Sequence, residues 1–261
     1  MAGDDKTSGG ISEIGQSSTH CEDCSLFGLC IAQEMSDNER ENLDEVVRRE
    51  QPIERNEHVF QGGERSRNVT VVRSGSIKAY RISSEGDEVI SGFYLPGEIV
   101  GLDALFSDRH PSFATALEDG HTCTIPVKDF MRMLKDSPKL NQVMLKMLSE
   151  EISEARELLL VVGRLDARTR VALFLLSLSS RLARHSKEAD QFRLTMDRRD
   201  IANYLGLTIE TVSRTLSALQ REGIIEVHGK LVRICDRDTL RQMAMRNATT
   251  EPEAATQRAS G

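Results

Sequence analysis

The sequence has no run of eighteen consecutive apolar residues, and it does not begin with a basic segment leading into an apolar one. Membrane spans and secretory signals need those features, so a soluble cytoplasmic protein with no membrane partner is expected. Also missing are a Gly-rich phosphate loop, a metalloprotease helix motif and a nucleophile elbow, each of which gathers the reacting groups of an enzyme class at one turn. Neither an enzyme nor a small-molecule substrate is expected. Positive charge is scarce too: 34 Lys+Arg against 41 Asp+Glu leave −7, a balance that on its face disfavours a nucleic-acid partner.

What is present changes that picture. Residues 164 to 246 hold 16 Lys+Arg against 10 Asp+Glu, a surplus of six, while the rest holds 18 against 31, a deficit of thirteen. Only the C-terminal part suits a polyanion. Cysteine is equally uneven, with Cys21, Cys24 and Cys30 inside ten positions and Cys123 and Cys235 far away. A chain of 261 residues has room for two ordinary cores and no need of disulfide staples. In a reducing cytosol such thiols are metal ligands, reactive groups or core residues.

Five stretches follow from composition and period. Residues 1–19 and 247–261 read as disordered tails. Residues 20–135 carry the cysteine segment, a short helix near Asn38 to Arg49, and then short strands from about His58 to Val127, punctuated by "QGGERS", "RSGS", "SSEGDE", "LPGE" and "EDGH". That spacing predicts an antiparallel sandwich or jelly roll. A helix of about 40 Å, at about 1.5 Å per residue, is predicted over 136–165, starting at Ser137 and Pro138. On it Leu145, Leu148, Ile152, Ala155, Leu159 and Val162 recur at steps of three and four. A core helix packed on the β region and a coiled-coil seam both fit this period; the position between two domains favours the seam of a homodimer.

Residues 166–246 predict a winged helix-turn-helix with a two-stranded wing. Asp197 caps a helix bearing Ile201, Tyr204 and Leu205, Gly206 permits the turn, and Thr208 caps a second helix buried through Ile209, Val212, Leu216 and Leu219. Glu210, Ser213 and Arg214 share the opposite face of its first two turns. A recognition helix presents its N-terminal residues to base edges, where Arg214 can donate twice to guanine and Glu210 can accept from cytosine. The plainer reading is a surface Glu-Arg pair worth about 0.3–0.5 kcal/mol. Arg198 and Lys230 are candidate phosphate contacts on double-stranded DNA. The fold class is therefore α+β: an N-terminal β jelly roll, a long dimerisation helix and a C-terminal winged helix-turn-helix domain.

This order resembles the cyclic-AMP receptor protein superfamily of bacterial transcription regulators over about residues 20 to 245. Ile209-Glu210-Thr211-Val212-Ser213-Arg214, with the N-terminal cysteines, resembles its oxygen-sensing branch, the fumarate and nitrate reductase regulator (FNR) type. The resemblance implies that Glu210, Thr211, Ser213 and Arg214 serve recognition of TTGAT inverted repeats. It implies that Ile82, Ser83, Gly86 and Asp87 form a turn touching RNA polymerase. It also implies that Cys123 joins Cys21, Cys24 and Cys30 around a 4Fe-4S cluster whose loss in oxygen lowers dimerisation and DNA binding. In that branch an acidic residue occupies the seam position that is Ala155 here, so a tighter cluster-free dimer is expected, unless Glu151 and Glu154 on adjoining positions take over the repulsion.

Alternatives stay open at this point. Three local thiolates also suit zinc, although structural zinc sites usually pair two Cys-x2-Cys units; a cluster-free thiol or zinc regulator is the rival. Cyclic-nucleotide sensing is the other. The superfamily's Gly-Glu turn appears as Gly97-Glu98, but its later Arg-Ser pair appears as Pro111-Ser112, with Arg109 two residues earlier. His20 and Cys235 are kept outside the site, Cys235 as a small apolar residue of the wing.

Overall fold

The computed structural model describes residues 20–184 and 190–245; both expected tails lie outside the described residues. Cys21–Asp23, Phe27–Leu29 and Ile31–Glu34 form three short 3-10 turns. Helix α1, Asp37–Val46, begins at a capping box in which Ser36 and Glu39 satisfy each other's backbone N–H groups. It ends before Arg48 and Arg49, which the sequence pattern had put in the helix. They open strand β1, Arg48–Ile53, whose partner β8 claims their backbone groups.

Two four-stranded antiparallel sheets make the jelly roll. One orders β1, β8 (Gly120–Pro126), β3 (Asn68–Ser74) and β6 (Ile99–Val100). The other orders β2 (His58–Phe60), β7 (Phe113–Ala116), β4 (Ile77–Ile82) and β5 (Glu88–Tyr94). The turn signals are used as turns: Gly63, Gly75, Gly86 and Gly97 all have positive φ, which side chains with a Cβ rarely adopt. Val72, Ile77 and Ala116 fill the space between the sheets. Val71 and Ile125, alternate residues of the first sheet, face the opposite way, toward the 3-10 turns.

Helix α2, Val127–Asp136, was not legible as a separate element; it follows Pro126 directly and buries Phe130, Met133 and Leu134. Helix α3, Pro138–Arg164, starts where Ser137 Oγ accepts the Leu140 N–H at 3.1 Å. Its inner face, including Leu140 and Met144, joins the core of Ile31, Ala32 and Met35 from the cysteine segment. Its outer face leaves Leu145 63%, Ile152 53% and Leu159 74% exposed, seven residues apart. Leu148 turns partly inward, and Val162, still 37% exposed, lies beside Gly206.

Helix α4, Ala167–Leu182, is capped by Asp166, which accepts from Arg168 N and Thr169 N. Then come β9 (Gln191–Arg193), α5 (Arg198–Leu205), α6 (Ile209–Arg221), β10 (Ile225–His228), β11 (Leu231–Ile234) and α7 (Arg237–Met245). The wing has three strands, ordered β10-β11-β9, not the expected two; three residues of β9 are too few to show an alternation. This domain shares one core with the second roll sheet, through Tyr80, Ile90 and Phe93 against Phe174 and Leu205.

Candidate cysteine centre and nucleic-acid interface

Consecutive turns wind the cysteine segment. Cys24 N reaches Cys21 O at 3.2 Å, Phe27 N reaches Cys24 O at 2.9 Å, and Cys30 N reaches Leu26 O at 2.9 Å. Strand β8 brings Cys123 opposite Val71 of β3. Cys21, Cys24, Cys30 and Cys123 line one cavity with Ile31, Val71 and Ile125. All four are free thiols and partly buried. Burial pushes the Cys21 thiol up to about 12 and raises Cys30 as well, so loading a metal here releases protons.

The segment is tied down from three sides. Asp44 of α1 accepts the Cys21 N–H at 3.0 Å, lies 2.9 Å from His20 Nδ1, and pairs with Arg49. Arg49 Nη2 also points at Cys21 Sγ, 3.4 Å away. Arg40 lies 5.4 Å over the Phe27 ring and 2.9 Å from Glu22. Lys139 of α3 stands 3.5 Å from Glu34. Arg49 and Asp44 escaped the sequence reading because nothing in their spacing marks them; only β1 folding beside α1 brings them to Cys21. His20 is an Asp44 partner, and among the described residues Cys235 is exposed, not a core residue.

Zinc and an iron-sulfur cluster make different demands on such thiols. Zinc needs four sulfurs each about 2.3 Å from one ion, and among the described residues no three Cys, His, Asp or Glu side chains converge closely enough for one metal ion. A cluster carries its own iron and sulfide between the thiolates, so four cysteines around an apolar cavity suit it in number and kind, with less demand that the sulfurs already converge. The cavity that they line holds about 40 Å³.

At the other end, Asp197 and Asp200 form the capping box of α5, with Asp200 N donating to Asp197 Oδ1 at 2.8 Å. Gly206 has φ 61, and a Cβ there would meet Val162 Cγ1 at 2.9 Å. Arg170 clamps this corner, donating to Leu165 O at 2.8 Å and Leu205 O at 2.9 Å; it lies outside every motif. Thr208 Oγ1 accepts from Thr211 N at 3.2 Å and opens α6.

Val212, Leu216 and Leu219 are buried, but Ile209 is 40% exposed, a correction to the expected stripe, because the first residue of α6 lies beyond the edge of α5. Glu210, Ser213 and Arg214 are exposed together on the other face. Glu210 and Arg214 do not pair among the described residues; Arg214 Nη2 reaches Thr211 Oγ1 at 3.4 Å, so both charged ends stay available to bases. Arg198 is half-buried with Nη1 unpartnered. Lys230 spends one N–H on Thr195 O at 3.0 Å and keeps two. The Ile82–Asp87 turn is exposed, with Ser83 Oγ accepting Asp87 N at 3.1 Å.

The groups for cyclic-nucleotide binding are engaged elsewhere. Glu98 accepts from Arg181 Nε at 2.8 Å, Ser112 Oγ donates to Asp103 at 3.0 Å, and Arg109 Nη1 donates to Gly63 O. Among the described residues, Glu98, Ser112 and Arg109 are thus committed within the chain, which weighs against that runner-up.

Comparison with known proteins agrees with this layout. The family model for a cyclic nucleotide-binding domain matches residues 50–137, and that for a Crp-like helix-turn-helix domain matches residues 169–243. The chain is 40% identical over 232 residues to the fumarate and nitrate reduction regulatory protein of Escherichia coli strain K12, covering 89% of this chain and 93% of the relative. It is 40% identical over 237 residues to the anaerobic regulatory protein of Haemophilus influenzae, covering 91% and 92%. Among solved structures, FixK2 from Bradyrhizobium japonicum superposes with a TM-score of 0.70 at 31% identity, covering 76% of this chain and 97% of that one. No described helix is long and apolar enough to cross a membrane. The chain belongs to the fumarate and nitrate reduction regulator branch of the Crp-like family, whose members are DNA-binding transcription regulators that act as dimers and not enzymes.

Proposed function

We propose that this chain is an oxygen-responsive global transcription regulator whose dimer reads TTGAT-type inverted repeats and whose pairing is governed by a 4Fe-4S cluster on Cys21, Cys24, Cys30 and Cys123. The observation that carries this reading is that three turns and one β-strand line a single cavity with all four thiols, on the side where the cysteine segment also packs on α3. When bound, the cluster supplies an oxygen-labile link between that segment and the roll.

The protein's own residues convert the link into a DNA readout. Ile31, Ala32 and Met35 follow Cys30 and rest on Leu140 and Met144 of α3, so any displacement of the cysteine turns is felt at the helix that carries the seam. Leu145, Ile152 and Leu159 lie on its uncovered side. Pairing of two such helices places two copies of α6 for half-sites about 34 Å apart. A bias of a few kcal/mol suffices, because each 1.4 kcal/mol is about tenfold in population. Glu210, Ser213 and Arg214 then face base edges, Arg198 and Lys230 face phosphates, and the Ile82–Asp87 turn is the surface offered to RNA polymerase.

Purification without oxygen, with iron, sulfide and visible absorption recorded, followed by titration of a TTGAT inverted repeat before and after air, tests this directly. About four irons per chain, with affinity lost in air, is the expected outcome. Colourless protein with zinc, or affinity indifferent to air, overturns the cluster reading and leaves the DNA reader intact.

A further inference from the structure

The roll holds a second, larger cavity that none of the cysteines touches, about 610 Å³, at one end of the space between the two sheets. Small-molecule sites commonly span about 300–1,000 Å³. The mouth carries Arg48 of β1 with Arg65 and Arg67 of the loop between β2 and β3, all exposed and none in an ion pair among the described residues. Glu57 and Glu64 line the same cavity, each turned toward its own loop, where Glu57 accepts from Glu54 N at 2.7 Å and Glu64 from Gln61 N at 3.0 Å. Three guanidiniums therefore stand against two carboxylates around this cavity, a surplus of one positive charge that favours an anionic occupant.

The interior is polar as well. Thr70 and Thr122 line it and are buried. His110 lines it too, stacked on Phe60 with ring centroids 3.8 Å apart and only 6% exposed, and its Nδ1 has no hydrogen-bond partner. Buried polar atoms are almost always satisfied, so this nitrogen marks where an occupant's polar atom belongs. We propose that this cavity binds a small polyanion bearing phosphate or carboxylate groups, held at the mouth by Arg48, Arg65 and Arg67 and inside by His110 and Thr70. Gly97, Glu98 and Ser112, the counterparts of the nucleotide grip, do not line it. An acidic protein segment would meet the arginines but would have no use for His110 and Thr70, which favours a small ligand.

Calorimetric titration of the full chain with pyrophosphate, and separately with citrate, distinguishes the two anion chemistries. The expected result is one site per chain for at least one probe, weakened about tenfold or more, about 1.4 kcal/mol, in Arg65→Gln/Arg67→Gln and also weakened in Thr70→Val. The exposed arginines leave the fold intact, which far-UV circular dichroism verifies. No binding of either probe, or equal binding in the arginine variant, overturns the proposal. Binding that responds to the arginines and to salt but not to Thr70→Val or His110→Phe also overturns it, and identifies a basic surface suited to an acidic protein partner.

Discussion

Arg214 and Glu210 are left unpaired on the exposed face of α6 although four residues apart, the spacing at which such a pair usually forms. Replacing Arg214 by alanine is expected to cost about 1–3 kcal/mol on the preferred site and to relax preference at one base pair, which competition with base-substituted half-sites measures. Arg198→Gln is expected to weaken all sequences alike and to reduce the salt slope by about one; a change confined to one base position would make Arg198 a base contact. These residues were readable in the sequence because a helix period fixes which side chains share a face. Three of the cysteines were readable for the same local reason. Cys123 was not, since its place beside the others depends on the β8-to-β3 register, and only the family resemblance pointed to it. Arg49 and Arg170 have no local signature at all; each acts through a backbone or thiol brought in from a distant element.

Helix α3 carries two faces that meet different neighbours. Met144 is buried against the cysteine segment, whereas Ile152 is exposed on the uncovered stripe. Met144→Ala is therefore expected to lower the stability of the folded chain by about 2–5 kcal/mol. Ile152→Glu is expected to leave monomer unfolding within about 0.5 kcal/mol yet weaken pairing. Two symmetry-related isoleucines, each worth about 1.5–3 kcal/mol when buried, put the loss at two to four decades of dissociation constant. Sedimentation velocity over a concentration series reads this, and an unchanged constant removes Ile152 from the seam. The period showed this stripe but not its edges: Leu148 is drawn inward by the roll, and Val162, though partly exposed, borders the Gly206 corner. Helix α2 and strand β9 were missed because each is too short for its period to stand out from the flanking residues.

The acidic roll and the basic reader are locked together in this protomer. Asn203 of α5 accepts from Ile90 N at 2.8 Å and donates to Glu88 O at 2.7 Å, and Lys78 bridges Glu88 at 3.0 Å and Asp200 at 3.1 Å. Phe93 contacts both Phe174 and Tyr204, with ring centroids 6.1 and 5.1 Å apart. With the reader fixed to the roll, the proposed switch acts on the pairing of protomers, where seam charge would set how completely the cluster-free form separates. Ala155 contributes none. Glu151 takes the Tyr94 hydroxyl at 3.2 Å, and burial holds its carboxyl above the usual range; burial raises Glu154 as well, although Arg181 pulls the other way. Glu151 is thus committed to its own chain, and Glu154, though exposed, has its charge opposed by burial, so neither matches the repulsion that an exposed carboxylate at position 155 would supply. The cluster-free protein is expected to remain largely dimeric at micromolar concentration in sedimentation, and Ala155→Asp to shift it to monomer by placing like charges across the two-fold axis. The effect of the substitution should shrink at high salt, where exposed charges are screened. A wild-type cluster-free chain that is already monomeric would mean that the apolar stripe is too weak to pair without the cysteine segment in its loaded position, and that Ala155 is not what sets the balance.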